Sequence, residues 1–336
     1  NQITSYILKN KNNFFIIPGG IANSTEIYTN YLKRKKINFL TIDNAKRNKK
    51  FFLFLCLNGI AAKREDGLEA YNLIDKSNST FKKIKKFVNR EIKNRSKGKD
   101  SLVFQKNESY KFKENNFILI LLSSGWDSSS LMTHKIFNDN GSWLKQTLFW
   151  INKKYKNQKI VIREHPHLRI KEFKSNDDFS RIYEKGKNII LHDSFSNVNT
   201  YDLIKNCKFI ITTVSTSGIE AVILGKKAIF AGKCIFEKFN FFTNLKKKNE
   251  YFNEIIKLEK IKKMRNEIKK KAIYCYFFCD YLKMIETKFC PDYMTISPFK
   301  INEVVNSVTL DLLVKTMNDV KPFPYINLKH YQKKNV

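Results

Sequence analysis

The feature that most constrains this chain is a rhythm in its middle third. Five short apolar runs follow one another: FILILL (Phe117–Leu122), KIVIRE (Lys159–Glu164), NIILHD (Asn188–Asp193), CKFIITT (Cys207–Thr213) and KAIFAG (Lys227–Gly232). Segments with helical spacing lie between them: Asp127–Asn138, Trp143–Lys156, TYDLIKN (Thr200–Asn206) and SGIEAVILG (Ser217–Gly225). Each run has an apolar centre rather than a strict alternation, as expected of strands buried on both faces. Strands that alternate with helices build a parallel sheet covered on both sides.

A looser version of the rhythm occupies the first third. FFIIPGG (Phe14–Gly20), INFLTID (Ile37–Asp43) and FFLFLCL (Phe51–Leu57) read as strands, with a helix after the first and helices over Asp66–Arg95. A polar stretch, Lys106–Asn116, separates the two blocks. The expected fold class is α/β, with two Rossmann-like halves whose parallel sheets face a cleft. The expected domains are 1–116, 117–245 and a C-terminal segment, 246–336. That segment reads as helices over Lys246–Thr287 and Ile301–Met317 and is expected to pack back across the domains.

Of the 336 residues, 42% are hydrophobic, too many for a disordered chain. No apolar run approaches the ~20 residues of a membrane span. No leader segment is read, and the expected location is cytoplasmic. The six cysteines, Cys56, Cys207, Cys234, Cys275, Cys279 and Cys290, lack paired spacing and are expected to be reduced core thiols. Only the Cys275–Cys279 spacing hints at a metal, and no metal site is expected.

The net charge is +32, from 63 basic and 31 acidic residues. Only nine of the basic residues are Arg, the type suited to bidentate phosphate and base contacts. Lys spread along the whole chain beside abundant Asn, Ile and Phe describes a solvated surface. No specific nucleic-acid partner is expected. An anionic membrane leaflet or polymer remains a partner class.

Parallel sheets bind ligands beyond the carboxyl ends of their strands, so the residues after each strand matter most. After CKFIITT come Ser215, Thr216, Ser217 and Gly218 at a helix start, a natural anion site. Ser217 and Glu220 also fit a capping box. After KIVIRE, Pro166 forces an extended conformation on His165 and ends the strand, which aims His165 out of the sheet. After FILILL come Ser124 and Asp127, a cleft residue or a plain helix cap. After FFLFLCL come Glu65, Asp66 and Gly67, where a carboxylate is either a general base or an acid in the first turn of a helix.

Taken together, Glu65-Asp66-Gly67, His165-Pro166 and Ser215-Thr216-Ser217-Gly218 resemble the bacterial GT-B glycosyltransferases that use CMP-activated ulosonic acids. These include polysialyltransferases, lipooligosaccharide sialyltransferases and capsule Kdo transferases. From Phe117 to Phe236 the order of strands and motifs is similar to the capsule polysaccharide biosynthesis family. The resemblance implies that His165 contacts the donor phosphate and assists departure of CMP. It implies that Ser215, Thr216, Ser217 and the Gly218 amide hold that phosphate, with Pro166 and Glu220 in the same motifs. Glu65 or Asp66, with Asp66 preferred, would be the base of an inverting reaction. Ser124 and Asp127 would line the cleft. No cofactor and no metal are implied. The partners would be a nucleotide-sugar donor, a glycan or glycolipid acceptor and an inner-membrane surface on which the protein is peripheral.

Two rivals stand beside this reading. Within the same fold, the donor could be a UDP-sugar, or CDP-polyol for a phosphotransferase. In another class, the chain is a non-catalytic basic protein that binds an anionic polymer, with salt-steep and unselective affinity.

Overall fold

The structure, a computed structural model, describes residues 14–18, 23–47, 50–98, 112, 114–123, 136–169, 188–233, 236–287 and 308–334. The chain divides into two compact units, Asn1–Lys83 with Tyr274–Val336, and Ile84–Ile273.

The first unit begins with β1 (Phe15–Pro18), α1 (Asn23–Lys35), β2 (Phe39–Arg47) and β3 (Lys50–Leu57), followed by α2 (Gly67–Asn72); α3 (Asn78–Ser96) starts in the first unit and, from Ile84 on, belongs to the second. β1 and β2 are parallel, joined through α1. β2 and β3 are antiparallel, Leu40 opposite Leu57 and Arg47 opposite Lys50. The expectation of a parallel first sheet is corrected here. Parallel neighbours need a crossover of a dozen or more residues, and only two residues separate β2 from β3. α3 buries a stripe, Ile84, Phe87, Val88 and Ile92, at helical spacing and turns its lysines outward.

The second unit carries β4 (Phe117–Leu121), α4 (Asn140–Lys154), β5 (Ile160–Arg163), β6 (Ile189–His192), α5 (Thr200–Asn206), β7 (Cys207–Thr212), α6 (Thr216–Ile223), β8 (Ala228–Phe230), α7 (Lys248–Lys260) and α8 (Asn266–Tyr276). Its sheet is wholly parallel in the order β6-β5-β4-β7-β8. Every residue of β4 and β5 is buried, in keeping with the apolar sequence of β4 and of β5 up to its last residue, Arg163. The order runs outward from β4 in both directions, so the direction of winding reverses between β4 and β7. One face of the sheet packs on α4 and α7 around Trp143, whose Nε1 donates to the Tyr251 hydroxyl at 3.0 Å. Asp139, Asn199 and Ser215 cap α4, α5 and α6 with side-chain oxygens.

After α8 the chain returns to the first unit. β9 (Met284–Thr287) pairs antiparallel with β3. α9 (Val308–Asp319) and α10 (Phe323–Lys334) supply Leu312, Phe323 and Ile326 to a core with Leu40, Leu55 and Leu57. The C-terminal residues therefore complete the first sheet and its core. Cys56, Cys207, Cys275 and Cys279 are buried and not joined in disulfides. Cys234 and Cys290 lie outside the described residues. Among the described residues, no helix is long and apolar enough to cross a membrane.

Gly218 fixes how closely α6 approaches the sheet. A Cβ there would sit 2.8 Å from two ring carbons of Phe230 and 3.2 Å from Thr212 Cγ2. Gly218→Ala is expected to overpack this contact and destabilise the second unit by about 1–3 kcal/mol. A thermal melt checks it, and an unchanged midpoint contradicts the packing argument.

Candidate functional site

The reversal of winding between β4 and β7 leaves a crevice beyond their carboxyl ends, and hydrogen bonds shape it. Thr212 Oγ1 donates to the Leu121 carbonyl at 2.9 Å, and the hydroxyls of Ser123 and Thr213 meet at 2.8 Å. The Ser215 N–H then donates to Thr212 Oγ1 at 3.3 Å, which turns the chain into α6. Ser215 is the cap of that helix, its Oγ accepting from the Ser217 N–H at 3.3 Å. The expected capping box with Ser217 as cap is thus displaced by two residues, because the chain turns earlier. Gly218 packs on Phe230, and its N–H donates to the Ser215 carbonyl at 2.9 Å.

The neighbouring wall comes from β5. Arg163, its last residue, is 2% exposed. Its guanidinium donates to the carbonyls of Asp193 and Ser196 in the loop after β6. Glu164 is fixed to the same loop, since its N–H donates to the His192 carbonyl and its Oε2 accepts from the Ser194 N–H, both at 3.0 Å. His165 follows, half-buried, and Pro166 opens a short 3₁₀ turn closed by Leu168 N–H to His165 carbonyl at 3.1 Å. Burial, and then the Arg163 charge, hold His192 below the ordinary histidine range.

The third wall joins α5 to the last turn of α3. Asn199 caps α5 and also donates from Nδ2 to the Ser96 carbonyl at 2.8 Å. Beside it, Arg95 Nη1 lies 2.6 Å from Glu220 Oε1, and the Tyr201 hydroxyl donates to Glu220 Oε2 at 2.7 Å.

These walls enclose one pocket, lined by Arg95, Arg163, Glu164, His165, Pro166, Thr200, Tyr201, Ser215 and Ser217, and floored by Leu121 and Leu122. Its volume of ≈ 60 Å³ is several times the ~10–15 Å³ that one water needs. It has room for an anion of phosphate size. Two arginines, a histidine, hydroxyls and a helix N-terminus in one crevice favour negative charge.

The structure thus gathers His165, Pro166, Ser215 and Ser217 in one place, with Thr216 between the last two. Glu220 lies behind them, fully buried and engaged by Arg95 and Tyr201. Ser124 and Asp127 lie outside the described residues. Arg95, Arg163 and Tyr201 were not singled out from the sequence. The available signal was scarcity: in a chain with nine arginines, two line this pocket.

Glu65 and Asp66 belong to the first unit. Glu65 Oε2 pairs with Lys33 Nζ at 2.5 Å and accepts the Ile60 N–H at 3.1 Å. Asp66 is 2% exposed, and its Oδ2 accepts from the N–H groups of Leu57 at 3.2 Å and Phe323 at 3.3 Å. It therefore ties the end of β3 to the start of α10. Burial pushes its carboxyl up to about 7, against the pull of those two N–H groups and the Cys56 thiol. Among the described residues, no group of three or more His, Cys, Asp or Glu gathers as a metal site.

A family model described as "Capsule polysaccharide biosynthesis protein" matches residues 61–273, well over half of the chain. The chain belongs to the capsule polysaccharide biosynthesis family. This is the family that the motifs resembled, and the match spans both Glu65-Asp66-Gly67 and the whole pocket. Two solved structures from Thermosulfurimonas dismutans are similar to this family member. One is KpsC, beta Kdo 2,4 transferase, with 13% identity over 77% of this chain and 78% of that one, at a TM-score of 0.49. The other is KpsC, beta Kdo 2,7 transferase, with 12% identity over 86% and 83% of the two chains, at a TM-score of 0.47. Among curated proteins, none matches.

Asp66 gives a test that separates clamp from base. Its folded pKa lies above the unfolded value, about 7 against 3.8. Its contribution to stability is therefore fully present below pH ~4 and lost as pH rises through about 7, by at most about 4 kcal/mol. Asp66→Asn keeps an oxygen for both N–H groups and removes the buried charge. Melts at pH 5 and pH 8 are expected to show the variant gaining on the wild type as pH rises. No change in that difference would contradict the burial of a titrating carboxyl.

Proposed function

We propose that the chain is a glycosyltransferase that moves a sugar from a nucleotide-activated donor to a surface polysaccharide or glycolipid acceptor. The donor is a CMP-activated ulosonic acid, sialic acid-like or Kdo. The observation that carries the reading is the polar pocket at the switch point of the second unit, lined by His165, Ser215 and Ser217. Membership in a capsule biosynthesis family supports a glycan as the acceptor class. The three motifs together support the CMP-ulosonate class of donor.

In this reading the donor phosphate sits in the pocket, and the nucleoside and sugar lie outside it. The acceptor hydroxyl oxygen attacks the anomeric carbon as the bond to the phosphate oxygen breaks. The bonding pair leaves with CMP, whose new charge is met by Ser215, Ser217 and His165. The hydroxyl proton passes to a carboxylate, Glu65 or Asp66. Asp66, held near pH 7, has the acidity suited to a base, whereas Glu65 is the more exposed of the pair. Loss of turnover by about 10²–10⁴-fold in Asp66→Asn, with Glu65→Gln near wild type, assigns the base to Asp66. The reverse assigns it to Glu65.

Calorimetric titration with CMP, CDP, UDP and GDP at two salt concentrations tests the reading. Selective CMP binding is expected, weakened about 10- to 100-fold in His165→Ala and Ser215→Ala. Because Ser215→Ala also removes a helix cap worth about 1 kcal/mol, its melt is recorded alongside. Preference for UDP or CDP would change the donor. Unselective binding that falls steeply with salt would replace the enzyme with a binder of anionic polymers.

A further inference from the structure

Glu220 is 0% exposed, and Arg95 and Tyr201, which engage its carboxylate oxygens, both line the anion pocket. A carboxylate taken fully out of water is costly, and a buried ion pair is often no more stabilising than apolar residues of the same volume. Stability alone is therefore a poor reason for this pair. Its geometric consequence is definite. Arg95 sits in the last turn of α3, with a side chain 21% exposed, and one Nη is fixed 2.6 Å from Glu220. A guanidinium is a rigid planar fork, so fixing one arm sets the direction of the others. The Asn199–Ser96 hydrogen bond locks the backbone one residue further on.

We propose that Arg95 binds an anionic group of the donor, and that Glu220, braced by Tyr201, is the positioning residue that sets its guanidinium. The proposal rests on reading the pocket as the donor site. The anionic group is either the nucleotide phosphate or the carboxylate of the transferred sugar, since both offer paired oxygens to a fork. Glu220 acts through Arg95 and touches no substrate.

The experiment is a titration of wild type, Arg95→Gln, Glu220→Gln and the double variant with CMP and with CMP-N-acetylneuraminate. Arg90→Gln serves as control. Arg90 lies on the same helix with a side chain 63% exposed, pairs only loosely with Glu91 at 3.7 Å, and removes the same charge. The double variant removes both members of the buried pair and so strands no charge, which keeps the test open if a single variant melts early. Arg95→Gln is expected to weaken binding about 10- to 100-fold while Arg90→Gln does not. Weakening of CMP itself assigns the phosphate. Weakening of CMP-N-acetylneuraminate alone assigns the sugar carboxylate. Glu220→Gln is expected to weaken binding when Arg95 is present and to add nothing once Arg95 is gone. A merely structural pair would lower the melting midpoint without this dependence. Undiminished affinity in Arg95→Gln and the double variant, or an equal loss in Arg90→Gln, overturns the proposal. If wild type binds neither compound, the donor reading fails and carries this one with it.

Discussion

The parallel pairing of β4 with β7 is the contact on which the second unit depends. It joins Ile118–Leu121 to Phe209–Thr212 and brings together two strands that are far apart in sequence. With β5 and β6 on one side and β8 on the other, it makes the winding reverse at this pair. Loops on the two sides then diverge and leave a gap at the strand ends. Small polar residues occupy the gap, because Ser123 and Thr213 satisfy each other and Thr212 satisfies both Leu121 and Ser215. The floor is thus rigid before any ligand arrives. A site built on strand ends and a capped helix start needs little reorganisation to accept charge.

Around that floor the chain departs from its own composition. Lysine covers the surface, where a flexible point charge suffices. Arginine appears where direction matters: Arg163 braces a loop through two carbonyls, Arg95 meets Glu220, and Arg64 meets the buried Asp280 of the first unit at 3.0 Å. Buried charges in both units thus tie segments that are distant in sequence. Asp66 does the same by accepting the first N–H of α10, 257 residues away. Each unit uses a carboxylate to hold a helix end, and in the second unit that helix end borders the pocket.

Much of this was legible in the sequence, for a local reason. The strands β4 to β8 are mainly apolar, and α6 carries a clear stop signal in Gly225, at φ +91°, after it. His165-Pro166 and Ser215–Gly218 could be placed near one ligand because parallel topology puts all strand ends on one side. The rest was hidden in long-range pairing. β9 is four residues long and gains its identity only opposite Phe51–Phe54. The β2–β3 hairpin was mistaken for a parallel step because its second strand lies so close after the first that only the two-residue link reveals the direction. Arg95 belongs to a helix that reads as an ordinary basic surface helix, and only the fold brings its last turn to Glu220, 125 positions on. Glu220 fits a capping box on paper, yet the earlier turn at Ser215 sends it inward instead.

In the proposed function, the second unit holds a nucleotide phosphate at the β4–β7 switch point. The most direct measurement is a crystal structure of the protein with CMP bound. The phosphate is expected within hydrogen-bond distance of Ser215 and Ser217, with His165 beside it and the cytidine outside the small cavity. Density for CMP elsewhere, with this pocket holding only water, would contradict the claim.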